Sequence, residues 1–208
     1  LKNGFTTRQT DVRGANSINT AFQLVAVIFQ LQSLQQFGGV SSSHLDHTMV
    51  PYVRRSFNKH YNFIRSFIPG TKKKDIKNID EVSIDSTIYK GTFSLVDRVC
   101  YTYAIKATKK ELDQAVEGMY HNLNTLQSRS GNQLPFTSIN FGTCTNIEGR
   151  MVIKSLLEGS IKGVGKYHKT PVFPCGIFQY MKGVNDKPGT PNYDLYRLAL
   201  KSTSKRLY

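Results

Sequence analysis

Residues 14–45 contain no Asp, Glu, Lys or Arg, and within them apolar residues recur at helical spacing on two faces. Ser17 supplies an N-cap, and Ile18, Ala21, Phe22, Val25, Ile28 and Phe29 then recur at helical spacing. Leu24, Val27, Leu31 and Leu34 form a second stripe on another face, and a helix that is apolar on two faces is buried on two sides. A transmembrane span is the rival reading. Gln23, Gln30, Gln32, Gln35 and Gln36 argue against it, because they leave no uninterrupted apolar run near the ~20 residues a bilayer needs. The pattern therefore predicts a helix between its own core and a second body, such as another subunit, ended by Gly38 and Gly39.

A second helix is expected over residues 44–67, with Val53, Phe57, His60, Ile64 and Phe67 in helical period and Pro51 at its first turn or at a kink. The short connection between the two helices predicts an antiparallel helical hairpin over 16–68. Residues 69–80, with Lys72, Lys73 and Lys74 in a row, read as a solvated loop. Helical pattern returns over 97–127 and is broken at Gly131. Phe136, Thr137, Ile139 and Phe141 predict a strand ending at Gly142. A crossover helix over 148–162, an apolar strand within 172–181 and a helix over 195–206 complete the chain. Strands alternating with helices of this length imply parallel pairing in an α/β sheet or barrel.

The formal charge of +14 suits anionic partners, or a piece whose neighbours carry the balancing charge. The three scattered cysteines, Cys100, Cys144 and Cys175, point to a reducing, cytoplasmic setting rather than a disulfide framework. No charged segment precedes an apolar run at Leu1, so no secretory signal is expected, and both ends read as cuts through a longer polypeptide.

Several residues could carry chemistry. His44, Asp46 and His47 have the spacing of two ligands on one helix face, but their place at a helix start favours capping. Arg54, Arg55 and Lys59 could grip a phosphate, or form a solvated basic face. Cys175, inside the second strand, is expected to pack as a small buried hydrophobe, with a redox centre as the alternative. Cys144 follows a strand end, where open α/β folds place ligands.

The segment 132–143 (NQLPFTSINFGT), preceded by Asn124, Thr125 and Leu126, resembles anaerobic (class III, glycyl-radical) ribonucleoside-triphosphate reductases. So do Gly38 and Gly39 continuing into Val50, Pro51, Tyr52, Val53, Arg54 and Arg55. The runs TPVFPCGIFQYMKGVN, PNYDLYRLAL and SKRLY are similar as well. Several long motifs in order are far more specific than one short pattern.

The resemblance implies an internal fragment, 1–208, of the catalytic subunit. Its fold would be part of a ten-stranded α/β barrel, with the helical hairpin used for dimerisation and with barrel strands and crossover helices over 132–208. It implies a parent enzyme in which a glycyl radical generates a thiyl radical that acts on ribonucleoside triphosphates. It further implies formate as the reductant, as in the best-known subclass, a zinc site near the C-terminus, and an iron–sulfur S-adenosylmethionine activase. ATP and deoxynucleotide effectors bind beside the dimer helices.

The radical cysteine, the glycyl radical and the zinc cysteines would all fall outside this chain, so no catalytic and no metal-binding residue is assigned. The 208 residues alone are expected to have no reductase activity. Lys59 falls where the family has a basic residue near effector phosphates. Arg55, by helical spacing, and Arg13 join it as effector-binding candidates. Ser138 and Asn140 are candidates for the substrate cavity. A basic nucleic-acid-binding module, suggested by the charge and by Lys72 to Lys74, and a fragment of another glycyl-radical enzyme are the alternatives. The resemblance itself implies neither nucleic-acid nor membrane binding.

Overall fold

The computed structural model describes all residues except Arg8, Phe37, Thr92, Phe93, 128–132 and 207–208. The expected break at Gly131, the start of the quoted motif at Asn132 and the end of SKRLY lie outside the described residues. The chain opens with a small antiparallel hairpin, β1 (Phe5–Thr6) and β2 (Asp11–Val12). Helix α1 (Ile18–Gln35) follows, and the Ser17 side chain caps it by accepting from the Thr20 N–H.

The connection to the next helix is not a simple hairpin loop. Residues Val40–Ser42 form strand β3, which pairs in parallel with a later strand. Helix α2 (Leu45–Arg65) runs through Pro51, which lies inside it rather than in its first turn. A single-turn helix α3 (Thr87–Lys90) precedes the long α4 (Leu95–Thr125). Then come β4 (Thr137–Phe141), α5 (Ile147–Lys162), β5 (Cys175–Phe178) and α6 (Tyr193–Arg206).

The second sheet has the order β3-β4-β5, with both pairs parallel. The two strands expected from the sequence are therefore neighbours with the expected direction, and β3 was not anticipated. The described residues form a mixed α/β structure with two small sheets and no closed barrel.

The core lies between one face of this sheet and the helices. Ile18, Phe22, Val25 and Phe29 of α1, Met49 and Val53 of α2, and Leu112, Val116 and Leu123 of α4 meet Ile139 and Phe141 of β4 and Val152 and Leu156 of α5. Helix α4 is the main partner of both α1 and α2, so the two predicted hairpin helices are joined largely through a third. The second stripe of α1 is only partly covered: Val27 and Leu31 are half-buried and Leu34 is 60% exposed.

A second, aromatic cluster surrounds Phe57, Tyr61 and Tyr89, with Phe57 and Tyr89 rings edge-on at 4.8 Å. It anchors the segment expected to be a solvated loop. Lys74 donates to the Ile88 carbonyl and pairs with Asp97 at 3.2 Å, and its backbone N–H donates to Asn62. Arg65 donates to the Lys72 carbonyl. Lys72 and Lys73 are exposed, but the backbone that carries them is pinned by α2 and by the N-terminus of α4.

Candidate functional site

Strand β4 has one buried and one half-buried face. Thr137, Ile139 and Phe141 point into the helical core, and Ser138 and Asn140 alternate to the other side. Parallel register aligns Ser41, Ser138 and Cys175 in one row and Asn140 with Ile177 in the next. The structure thus brings Ser138 and Asn140 together on a polar sheet face turned away from the helices. Asn140 Oδ1 is buried there with no hydrogen-bond partner among the described residues. Cys175 is half-buried on this same face, which corrects the expectation that it packs as a core hydrophobe.

At the C-terminal end of β4 the chain turns at Gly142, with φ of +125°. A side chain there would also press on the Phe178 ring and the Gln179 backbone. The turn is held by Asp46, which is fully buried. Its Oδ2 accepts from the N–H groups of Gly142, Thr143 and Cys144 at 2.9, 3.1 and 3.0 Å. Its Oδ1 accepts from the His47 N–H, while the His47 ring meets the Thr143 hydroxyl at 3.2 Å. Asp46 and His47 therefore serve structure, whereas His44 makes no side-chain cap. No group of three or more His, Cys, Asp or Glu suited to a metal occurs among the described residues. Cys144 is buried against Gly149 rather than open to a ligand, and burial pushes its thiol up.

The two arginines of α2 are neither a free phosphate grip nor a solvated face. Arg54 donates to Glu148, which is fully buried, and to the Asp80 carbonyl. Arg55 clasps the Asp80 carboxylate with Nε at 2.6 Å and Nη2 at 2.5 Å, and its Nη1 donates to the Ala15 carbonyl and to Asn16. That tie brings the segment carrying Arg13, which is exposed two residues earlier, beside α2. Lys59 is exposed one turn further along. Beyond it, His60 Nε2 meets Glu111 at 2.7 Å, and Ser56 bridges Glu111 to the first N–H of α1.

The Arg55 guanidinium holds the Asp80 carboxyl below its usual value of 3.8. A depressed folded value means that the pair's contribution is complete above pH 3.8 and is lost as pH falls through the folded value. Acidification below that point should therefore free residues 76–82 from α2 before the core opens, seen as faster amide exchange in that segment. The variant Arg55→Gln should show the fast exchange already at neutral pH. An acid profile unchanged by that substitution would remove the pair from the account.

Sequence reasoning missed Asp80, Glu148, Asn185 and Asn192. Asn185 and Asn192 are fully buried, and both donate to the Gly142 carbonyl. Their only signal was their place inside the quoted motifs MKGVN and PNYDL. Asn124, quoted in the same way, accepts from the Val172 and Phe173 N–H groups and leads the chain into β5.

A family model described as anaerobic ribonucleoside-triphosphate reductase matches residues 1–208, the whole chain. The chain belongs to the anaerobic ribonucleoside-triphosphate reductase family. It is similar to reductases of that name from Salmonella typhimurium, at 33% identity over 208 residues, and from Haemophilus influenzae, at 31% over 208 residues. The reductase of Enterobacteria phage T4 is 31% identical over 208 residues. All of this chain is covered in each case, but only 25%, 25% and 30% of the respective relatives. The chain thus spans between a quarter and a third of the length of these curated reductases. In this family context the polar face of β4 and the basic residues of α2 are the features open to assignment.

Proposed function

We propose that this chain is part of the catalytic subunit of an anaerobic ribonucleoside-triphosphate reductase, an oxidoreductase that makes deoxyribonucleotides by thiyl and glycyl radical chemistry. The observation that carries this reading is the family match from the first residue to the last, joined to a parallel sheet whose outer face carries Ser41, Ser138 and Asn140. The three parallel strands would be one part of a ten-stranded barrel, and the outer face would look into its cavity. Ser138 and Asn140 would meet the ribonucleoside triphosphate there, with the unpaired Asn140 oxygen as an acceptor for a ligand hydroxyl or amine.

The chain supplies binding and control rather than the reactive centre. The glycyl radical, the radical cysteine, the zinc and the formate reductant are assigned to the complete enzyme. No group of three or more His, Cys, Asp or Glu among the described residues would hold that zinc. Contact with the iron–sulfur activase and a cytoplasmic setting belong to the same reading. No helix of the described residues is long and apolar enough to cross a membrane. The half-open second stripe of α1, with Leu34 60% exposed, supports a homodimer in which α1 meets its mate.

Effector nucleotides, ATP or deoxynucleotides, would bind beside these helices. Lys59 is exposed and able to reach a phosphate. Arg55 is engaged with Asp80 and would instead hold the Arg13 segment in place. Replacing Lys59 by alanine in the complete enzyme should weaken deoxynucleotide effector binding roughly ten-fold, as expected for one lost charge-assisted contact, with no change in melting temperature. Calorimetric titration decides it, and wild-type affinity in Lys59→Ala would remove this residue from the site.

A further inference from the structure

The turn after β4 is held more firmly than a crossover connection requires. Three successive backbone N–H groups converge on one oxygen of Asp46, an arrangement that favours an anion. Here the anion is an internal carboxylate from a residue almost a hundred positions away. A helix-start aspartate ordinarily bonds within its own first turn, and only Oδ1 of Asp46 does so. The carbonyls of the same turn are also taken. Asn192 donates to the Gly142 and Cys144 carbonyls at 3.0 Å each, and Asn185 donates to the Gly142 carbonyl at 3.2 Å and to that of Gln179 at 2.9 Å. The turn is thus gripped by N-terminal α2 on one side and by the segment before α6 on the other. It begins two residues after Asn140 and lies at the strand ends, where parallel α/β folds bind ligands.

We propose that Asp46 and Asn192 are positioning residues for the ribonucleotide-binding face: by clamping residues 142–144 from opposite sides they fix the end of β4, and with it Asn140 and Ser138, in the geometry that binds substrate. This inference rests on the reading of that face as the ribonucleoside-triphosphate site. Neither residue touches substrate. Each acts through the turn, and small displacements of positioning groups carry large penalties in affinity and rate.

The test uses the complete polypeptide that contains this chain, with cytidine triphosphate as substrate. Asp46→Asn keeps the size of the side chain and removes its charge. KM should rise about ten-fold or more, with a smaller change in kcat per folded molecule. The amides of Gly142, Thr143 and Cys144 should exchange faster while those of β5 do not. Asn192→Ala, which loosens the turn from the other side, should shift KM in the same direction. A merely stabilising anchor would lower the folded fraction, and hence the apparent kcat, and leave KM unchanged. Folded variants with wild-type KM therefore overturn the inference, even if they melt earlier. If Asp46→Asn does not fold, Asn192→Ala decides by the same criterion. A wild-type protein that binds no cytidine triphosphate overturns the functional reading and this inference with it, whereas a wild type that binds it normally alongside unaffected variants overturns this inference alone.

Discussion

Replacing Glu148 by alanine is expected to destabilise the protein by about 3–5 kcal/mol, the usual cost of removing one partner of a buried ion pair. Glu148 is fully buried at the start of α5, and one of its oxygens accepts from both Arg54 Nε and the Ile84 N–H at 2.9 Å. Alanine would leave the Arg54 charge without its carboxylate, and that guanidinium side chain is only 12% exposed. It would also orphan the Ile84 N–H next to the aromatic cluster. Because α2, the 80–84 segment and α5 all meet at this one carboxylate, the loss should loosen the two hydrophobic clusters from each other. Thermal unfolding should show a midpoint about 10 °C lower or more. Glu148→Gln should fall between, since its carbonyl can still accept from Ile84 while the charge is lost. A midpoint for Glu148→Ala within 2 °C of wild type, by the same roughly 2–4 °C per kcal/mol scale, would show that the pair contributes almost nothing.

Gly149→Ala should be comparably damaging, against the general preference of helices for alanine by about 1 kcal/mol. A β-carbon on Gly149 would sit 2.2 Å from Cys144 Sγ and 2.6 Å from Cys144 Cβ. Cys144 cannot retreat, because its N–H is bound by Asp46 and its carbonyl by Asn192. The strain of overpacking should reach about 3 kcal/mol, read as a lowered urea midpoint with an unchanged slope. Cys144→Gly placed in the same chain should recover part of the loss, because it removes the clashing atoms. If Gly149→Ala is as stable as wild type, α5 packs less tightly on the turn than described.

The parts of the fold legible in the sequence are those written in local periodicity. The α1 stripe and its Ser17 cap are contiguous signals, and β4 announces itself by alternating large and β-branched residues before Gly142. Strand β3 gave no such signal. It is three residues long, two of them serine, with only Val40 buried, and it is a strand because β4 offers it an edge. The exposure of Cys175 was hidden for a related reason. An apolar run such as 172–178 reads as a strand covered on both faces, yet among the described residues helices cover one face. Ile177 is 48% exposed on the other.

The candidate site was legible as a set of residue types but not as a geometry. Ser138 and Asn140 sit two apart and so necessarily share a face. The basic group on α2 was also visible, but its partners were not, because Asp80 and Glu148 lie far away in sequence. The same holds for Asp46, whose acceptor role is set by a turn in a distant segment. Helical spacing can place Arg55 one turn from Lys59. It cannot show that Arg55 is already occupied and that Lys59 is open to solvent.

On the function proposed above, this sheet face belongs to a protein that reduces ribonucleotides. The most direct measurement is chromatographic detection of deoxyribonucleoside triphosphate, formed by the complete polypeptide from a ribonucleoside triphosphate under anoxic conditions, with formate and an iron–sulfur S-adenosylmethionine activase present. The account predicts deoxyribonucleotide product that depends on formate and the activase. Absence of that product from the activated protein, together with tight and steeply salt-dependent DNA binding, would contradict it.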